Sequence, residues 1–269
     1  MTASQPIGIF DSGIGGLTVA QSIARTLPNE QMIYFGDTAH LPYGDKSFEA
    51  IKSYAIHIAD FLLEKKCKAI LIACNTASAA AYDTLKEYVG CRALVMNVID
   101  PLVDKVTNDR TIRKIGIIGT KTTIASGVYE KKLKEKRKDI EVASLATALL
   151  ASMIEAGFYN NSVSQAVINS YLSYPDFQDI QGIILACTHY PLIRSEIDFY
   201  FHQRIKVFDS TDIVAEKLLA ELEKEKLLNE SNKNSHEFYV SDFTPSFGQT
   251  ARLFFGHDVQ LKHHNIWNE

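Results

Sequence analysis

The chain twice runs an apolar stretch into Ala-Cys and then into short polar residues: AILIACNTAS at 69–78 and GIILACTHYP at 182–191. Short isoleucine-rich runs bounded by polar residues read as buried parallel strands. Where such a strand stops and a helix begins, its last side chains reach the edge of an open sheet, the place where α/β folds bind ligands. Both segments therefore aim a cysteine, Cys74 and Cys187, at a ligand crevice.

Working outward, further strand-like runs lie at Ile7–Phe10, Met32–Phe35, Ala93–Val98, Ile115–Gly119 and Ile205–Phe208, separated by segments with helical spacing. Ser47 is placed to cap a helix running toward Lys65, because Ile51, Tyr54, Ile58, Phe61 and Leu62 recur on one face. Alternation of this kind predicts an α/β fold with mostly parallel sheets. The order of signals also restarts. Ile115-Gly116-Ile117 echoes Ile7-Gly8-Ile9, and Gly182–Cys187 echoes Ala69–Cys74, at offsets of 108 (7 to 115) and 113 (74 to 187) residues. An internal duplication, and so two similar α/β units, is the reading. EFYVSDFTPSFGQTARLFFG, from Glu237, reads as a last strand and helix, NESNKNS at 229–235 as a polar connector, and the tail HHNIWNE as marginally ordered.

The 269 residues are 46% hydrophobic and 22% charged, enough for one large core or two modest ones. Twenty-eight Lys and Arg against 32 Asp and Glu leave no basic surplus for a nucleic-acid backbone. The run KKLKEKRKD at 131–139 is read as a solvated helix face rather than a nucleic-acid patch. Neither a secretory leader nor a spanning apolar run is recognisable in the sequence, so no membrane role is expected. Four dispersed cysteines, at 67, 74, 91 and 187, suit free thiols in a reducing compartment, and their spacings are not those of a metal site.

An isolated Ala-Cys after a strand is most often simple packing. The matched positions of Cys74 and Cys187 argue otherwise, whereas Cys67 and Cys91 lack a matched partner and are read as structural. At a helix N-terminus, unpaired N–H groups favour a thiolate and draw its pKa below the free value of about 8.5. Asn75, Thr76 and Thr188 can cap the helix or hold a ligand carboxylate beside those groups. Asp11 precedes Ser12 and the glycine-rich Gly13-Ile14-Gly15-Gly16, and can orient an ammonium group or accept a proton. This loop lacks the glycine and lysine pattern of a phosphate loop. His189 is the histidine beside a candidate thiol and can serve as its proton partner. The turn Pro42-Tyr43-Gly44 follows the second strand, and Thr120 and Thr122 occupy the place of the Asp11 loop in the second unit. Many anion-binding groups with one acid suit a small zwitterion. Two equivalent thiols suit a nearly symmetric reaction, inversion at a carbon, in which one base removes a proton and a second acid returns it to the opposite face. A single-nucleophile cysteine hydrolase, and a binding protein without chemistry, are the competing readings.

The set DSGIGG (11–16), FGDTAHLPYG (35–44), IACNTASA (72–79), GTKTTI (119–124) and LACTHYPLI (185–193) resembles the motifs of the glutamate racemases, in the cofactor-independent aspartate/glutamate racemase superfamily. CNTAS with CTHYP separates the resemblance from the aspartate racemase branch. It implies interconversion of L- and D-glutamate without a cofactor, supplying D-glutamate for peptidoglycan in the bacterial cytoplasm, by a protein that forms a homodimer. It implies two domains related by pseudo-twofold symmetry, residues 1–97 with 208–269 and residues 98–207, with the active site in the cleft between them. Cys74 is similar to the base acting on D-glutamate, with Asp11 beside it, and Cys187 to the base acting on L-glutamate, assisted by His189. Ser12, Pro42, Tyr43, Gly44, Asn75, Thr76, Thr120, Thr122 and Thr188 match the substrate contacts, and Glu155 matches an acidic residue of the second domain. Departures are Ala156 for a second glutamate, His40 where arginine is common, Asp100 for glutamate and Ala186 for glycine. The extended N-terminal segment that accompanies activation by a cell-wall precursor in some members is not seen, so that regulation is not expected.

Overall fold

The computed structural model describes residues 1–231, 235–257 and 259–267. The chain folds into two compact units, Met1–Val98 with Thr211–Glu269, and Ile99–Ser210.

The first unit contains β1 (Ile7–Asp11), α1 (Leu17–Thr26), β2 (Met32–Gly36), α2 (Phe48–Glu64), β3 (Ala69–Ile72), α3 (Asn75–Val89) and β4 (Leu94–Asn97). The second runs through α4 (Ile99–Asn108), β5 (Lys114–Gly119), α5 (Lys121–Ala125), α6 (Val128–Lys136), β6 (Glu141–Ala146), α7 (Leu150–Glu155), α8 (Ser162–Leu172), β7 (Gly182–Ala186), α9 (Arg194–Tyr200) and β8 (Lys206–Phe208). The chain then returns to the first unit with α10 (Thr211–Lys224), β9 (Glu237–Val240), α11 (Pro245–Phe255) and β10 (Leu261–His263).

Among the described residues all strand pairs are parallel, in the orders β10-β9-β2-β1-β3-β4 and β6-β5-β7-β8. The orders β2-β1-β3-β4 and β6-β5-β7-β8 are the same arrangement, with β1 answering to β5 and β3 to β7. The repeat heard in the sequence is thus a repeat of topology, and the α/β class with two similar parallel units holds.

Parallel strands are covered on both faces, which is why β1, β2, β3 and β7 are buried along their whole length. In the first unit Phe10, Ile33, Phe35, Ile70 and Ile72 form one core with Ile51, Ile58 and Leu62 of α2 and Ala77 and Leu85 of α3. Each such aliphatic or aromatic side chain contributes about 1.5–3 kcal/mol by leaving water. The opposite face is covered by α1, which packs on α10 and α11. Helix α2 begins as the sequence predicts: the Ser47 side chain accepts from the Ala50 N–H at 3.2 Å.

One strand was missed and two expectations are corrected. Strand β6 was not anticipated; it is a half-exposed edge strand whose Ala and Ser residues have low strand propensity. The tail is ordered through Trp267: β10 pairs with β9, and Ile266 and Trp267 pack on the α2–α3 core. The charged run is not wholly solvated, because Arg137 is buried beyond the end of α6, bonding Asp139 and the carbonyls of Asp109 and Ile112. Of the polar connector, residues 232–234 lie outside the described residues, as do 268 and 269 of the tail. Among the described residues no helix is long and apolar enough to cross a membrane.

Candidate active site

In the first unit the site is assembled at the C-terminal ends of β1, β2 and β3. The chain leaves β1 at Asp11, which is fully buried and whose Oδ2 accepts from the N–H groups of Gly13 (3.2 Å) and Gly16 (3.1 Å). Gly16 caps α1, so the carboxylate sits at that helix's positive end. The loop is held from the far side by the Tyr34 hydroxyl, which donates to the Gly13 carbonyl at 2.9 Å. A Cβ at Gly36 would stand 2.2 Å from that carbonyl, so only glycine admits the crossing of the two loops.

Cys74 is the N-cap of α3, as the strand-to-helix reading requires; its Sγ accepts from the Ala77 N–H at 3.4 Å and lies 3.6 Å from Ser12 Oγ. Asn75 and Thr76 form the buried first turn of that helix. The expected low thiol pKa is not found. Burial, reinforced by the charge of Asp11, pushes the Cys74 thiol up to about 12, and the donors from Ala77 and Ser12 offset this only in part. Cys74 is therefore a protonated thiol at neutral pH, an acid rather than a standing base.

Tyr43 opens a single 3-10 turn, Tyr43–Asp45, preceded by a cis Leu41–Pro42 bond. Its phenol is buried and donates to Asp37 Oδ2 at 2.6 Å, which leaves its backbone N–H as the donor it can offer a ligand. Gly44 follows, half-buried.

In the second unit Thr120 takes the position equivalent to Ser12. It caps α5, accepting from the Thr123 N–H at 3.2 Å, and Thr122 follows in the first turn. Cys187 and Thr188 are buried directly after β7. Here the predicted helix N-terminus is corrected. Pro191 and the residues around it form a 3-10 turn, Tyr190–Ile193, capped by His189, and α9 begins only at Arg194. Cys187 consequently lacks the N-cap geometry of Cys74.

What Cys187 has instead is a proton partner. Its Sγ lies 3.5 Å from His189 Nδ1, and His189 Nε2 lies 2.7 Å from Glu155 Oε1. Burial pulls the His189 imidazole down, but the Cys187 sulfur and the Glu155 carboxylate outweigh it and hold the ring well above the usual histidine range. The His189 ring thus stands within reach of the Cys187 sulfur as a group that can exchange a proton with it.

The structure thus brings together Asp11, Ser12, Cys74, Asn75 and Thr76 in one unit, with the Pro42–Gly44 turn on the neighbouring strand end, and Cys187, Thr188, His189 and Glu155 in the other. Three contributors were missed. Asp37 anchors Tyr43, Tyr34 pins the Asp11 loop, and buried Tyr190 lies 2.7 Å from Thr147 Oγ1 next to Cys187. Asp37 had a signal: Phe35-Gly36-Asp37-Thr38 at the end of β2 resembles Phe10-Asp11-Ser12 at the end of β1. Among the described residues no group of three or more His, Cys, Asp and Glu side chains is arranged to hold a metal.

The sequence profile of the Asp/Glu/hydantoin racemases matches residues 7–218. The glutamate racemase of Chlorobaculum parvum is 37% identical over 260 residues, 96% of this chain and 95% of that protein. That of Geobacter metallireducens is 37% identical over 252 residues, 93% and 92% of the two chains. Among solved structures, the Francisella tularensis glutamate racemase in complex with D-glutamate superposes with a TM-score of 0.92 at 38% identity, covering 98% of this chain and 99% of its own. An aspartate racemase homologue from Pyrococcus horikoshii, at 23% identity and a TM-score of 0.57, shares the fold. By these matches the chain belongs to the Asp/Glu/hydantoin racemase family, among its glutamate racemases.

Proposed function

We propose that the protein interconverts L- and D-glutamate by transfer of the α-proton between two cysteines, without a cofactor, and thereby supplies D-glutamate for peptidoglycan. The observation that carries this reading is the placement of Cys74 and Cys187 after β3 and β7, equivalent strands of the four-strand order that the two sheets share, in a chain of this family. Inversion needs one group to remove the proton and another to return it to the opposite face of the α-carbon.

The two thiols differ in a way that fits the two roles. Cys74, whose thiol burial pushes up to about 12, is read as the acid, and Cys187, with His189 Nδ1 at 3.5 Å as its proton partner, as the base. Acting on L-glutamate, Cys187 takes the α-proton and Cys74 gives its own to the other face. The product state has the charge at Cys74, stabilised by the Ala77 and Ser12 donors, and is the form that acts on D-glutamate. Asn75, Thr76, Thr120, Thr122 and Thr188, with Ser12 and the backbone of Pro42–Gly44, bind the carboxylates. Asp11 takes the ammonium group, and Glu155 acts through His189. Residues 1–97 with 208–269 and residues 98–207 are read as the two catalytic domains. The protein works in the cytoplasm as a homodimer.

The test is incubation of each enantiomer in D2O, following α-deuteration and optical rotation. Solvent deuterium in the product, and a loss of racemisation of about 10²–10⁴-fold in both Cys74→Ser and Cys187→Ser, are expected. Full racemisation by either variant would exclude the two-thiol mechanism. Faster turnover of aspartate than glutamate would reassign the substrate.

A further inference from the structure

Asp37 is fully buried at the end of β2, and both of its carboxylate oxygens are occupied. Oδ1 accepts from Ser241 Oγ at 2.8 Å and from the Trp267 indole N–H at 3.1 Å. Oδ2 accepts from the Tyr43 hydroxyl at 2.6 Å, and the His40 ring nitrogen lies 3.0 Å away. A buried carboxylate with this many donors is held in one orientation, and it fixes whatever it accepts from. Two of its donors come from late in the chain. The third, Tyr43, belongs to the turn that carries Pro42 and Gly44.

Trp267 is therefore more than a packed end. Its indole lies edge-on to His40, with ring centroids 4.5 Å apart, and His40 stacks on Tyr54 at 4.1 Å. The Trp267 backbone N–H donates to Asn265 Oδ1 at 2.8 Å. The ring is thus located by packing, while one polar atom reaches the carboxylate beneath the turn. The Asp37 N–H also donates to the Asp11 carbonyl at 3.0 Å, so the same residue touches the Asp11 loop and the Tyr43 turn.

We propose that Trp267 is a positioning residue for glutamate binding: through Asp37 it holds Tyr43, and with it the backbone of the Pro42–Gly44 turn, in the geometry that receives substrate. This rests on the function proposed above. Loss of the indole N–H leaves Asp37 Oδ1 with fewer donors and frees the carboxylate to turn. The bond to Tyr43 then slackens, and the turn's N–H groups lose their fixed aim.

The experiment uses Trp267→Phe, which keeps an aromatic ring on His40 and Tyr54 and removes the donor, together with Tyr43→Phe and the double variant. The protein is labelled at the tyrosine phenol carbon, and the Tyr43 resonance is assigned by its disappearance in Tyr43→Phe. Trp267→Phe is expected to shift the Tyr43 resonance and to raise the KM for both glutamate enantiomers three- to tenfold with kcat within twofold. Adding it to Tyr43→Phe should raise KM no further, since coupled residues are non-additive. An unmoved Tyr43 resonance, or KM effects that multiply in the double variant, overturns the proposal. A purely structural tail would lower the melting temperature and leave KM alone, which also overturns it. The resonance is read without substrate, so a Tyr43 resonance that shifts on Trp267→Phe, together with a wild-type protein that exchanges no α-hydrogen of glutamate, would sink the functional reading and, with it, the role in glutamate binding.

Discussion

His189 Nε2 stands 2.7 Å from Glu155 Oε1, so the ring that faces Cys187 with one nitrogen is anchored to a carboxylate by the other. The Glu155 side chain is partly open to solvent while His189 is buried. Solvent screens the carboxylate, and its effect is exerted mainly through the bond it makes.

Glu155→Gln keeps a hydrogen-bonding group at the ring and removes the charge. The His189 pKa should fall, because one of the two groups holding it above the usual range is gone and burial still pulls it down. At neutral pH a smaller fraction of His189 is then cationic. The expected result is a loss of about tenfold in kcat/KM for L-glutamate, and a descending limb of the pH profile moved toward lower pH. An unchanged profile would assign Glu155 to packing.

Asp11→Asn tests the second cause of the high Cys74 value. The amide oxygen can still accept from Gly13 and Gly16, but the neighbouring negative charge is lost. The Cys74 thiol should fall from about 12, with burial keeping it above the free value. Each unit of fall gives about tenfold more thiolate at pH 8–9. In a Cys187→Ser background, alkylation of Cys74 by iodoacetamide should accelerate accordingly while racemisation remains abolished.

Cys67 offers a stability test away from the site. It is buried against Gly8 and Leu62, and burial pushes its thiol up to about 12 from an ordinary 9.0. A proton bound more tightly in the folded chain stabilises it fully below the unfolded pKa, and that stabilisation is lost as pH rises from about 9 toward 12. Cys67→Ala should flatten the fall in unfolding free energy over that window by about 1.4 kcal/mol per pH unit. Urea melts at pH 8, 9.5 and 11 measure it.

Gly36→Ala puts a methyl group 2.2 Å from the Gly13 carbonyl, a backbone atom that cannot rotate away. The expected cost is above about 3 kcal/mol, at the upper end of overpacking effects. The Asp11 loop should also be displaced. Circular dichroism melts and residual racemase activity are the readouts, and near-normal values of both would show that the loop crossing is not required.

Much of this was legible in the sequence because parallel strands announce themselves as short isoleucine-rich runs, and the two Ala-Cys endings mark the C-terminal ends of equivalent strands in the two sheets. Strand β6 escaped because an edge strand need not be apolar. The 3-10 turn after Cys187 escaped because a proline four residues on reads equally as a helix start. The direction of the Cys74 shift was misread for a different reason. A helix N-terminus lowers a thiol pKa, but complete burial beside Asp11 raises it by more, and neither burial nor that proximity is written in one dimension. Asp37 was overlooked because its partners, Ser241 and Trp267, lie about two hundred residues downstream.

The interruption of the first unit by the second has a consequence for biogenesis. While the nascent chain emerges, β1 to β4 can assemble early, yet the outer edge of β2 has no neighbour until Glu237–Val240 leaves the ribosome. Unpaired strand edges invite wrong partners. The intervening unit, being continuous, can mature in the meantime. Vectorial synthesis therefore delays two of the donors to the carboxylate beneath the Tyr43 turn until the tail arrives, so a truncated or stalled polypeptide carries both cysteines and leaves Asp37 without Ser241 or Trp267.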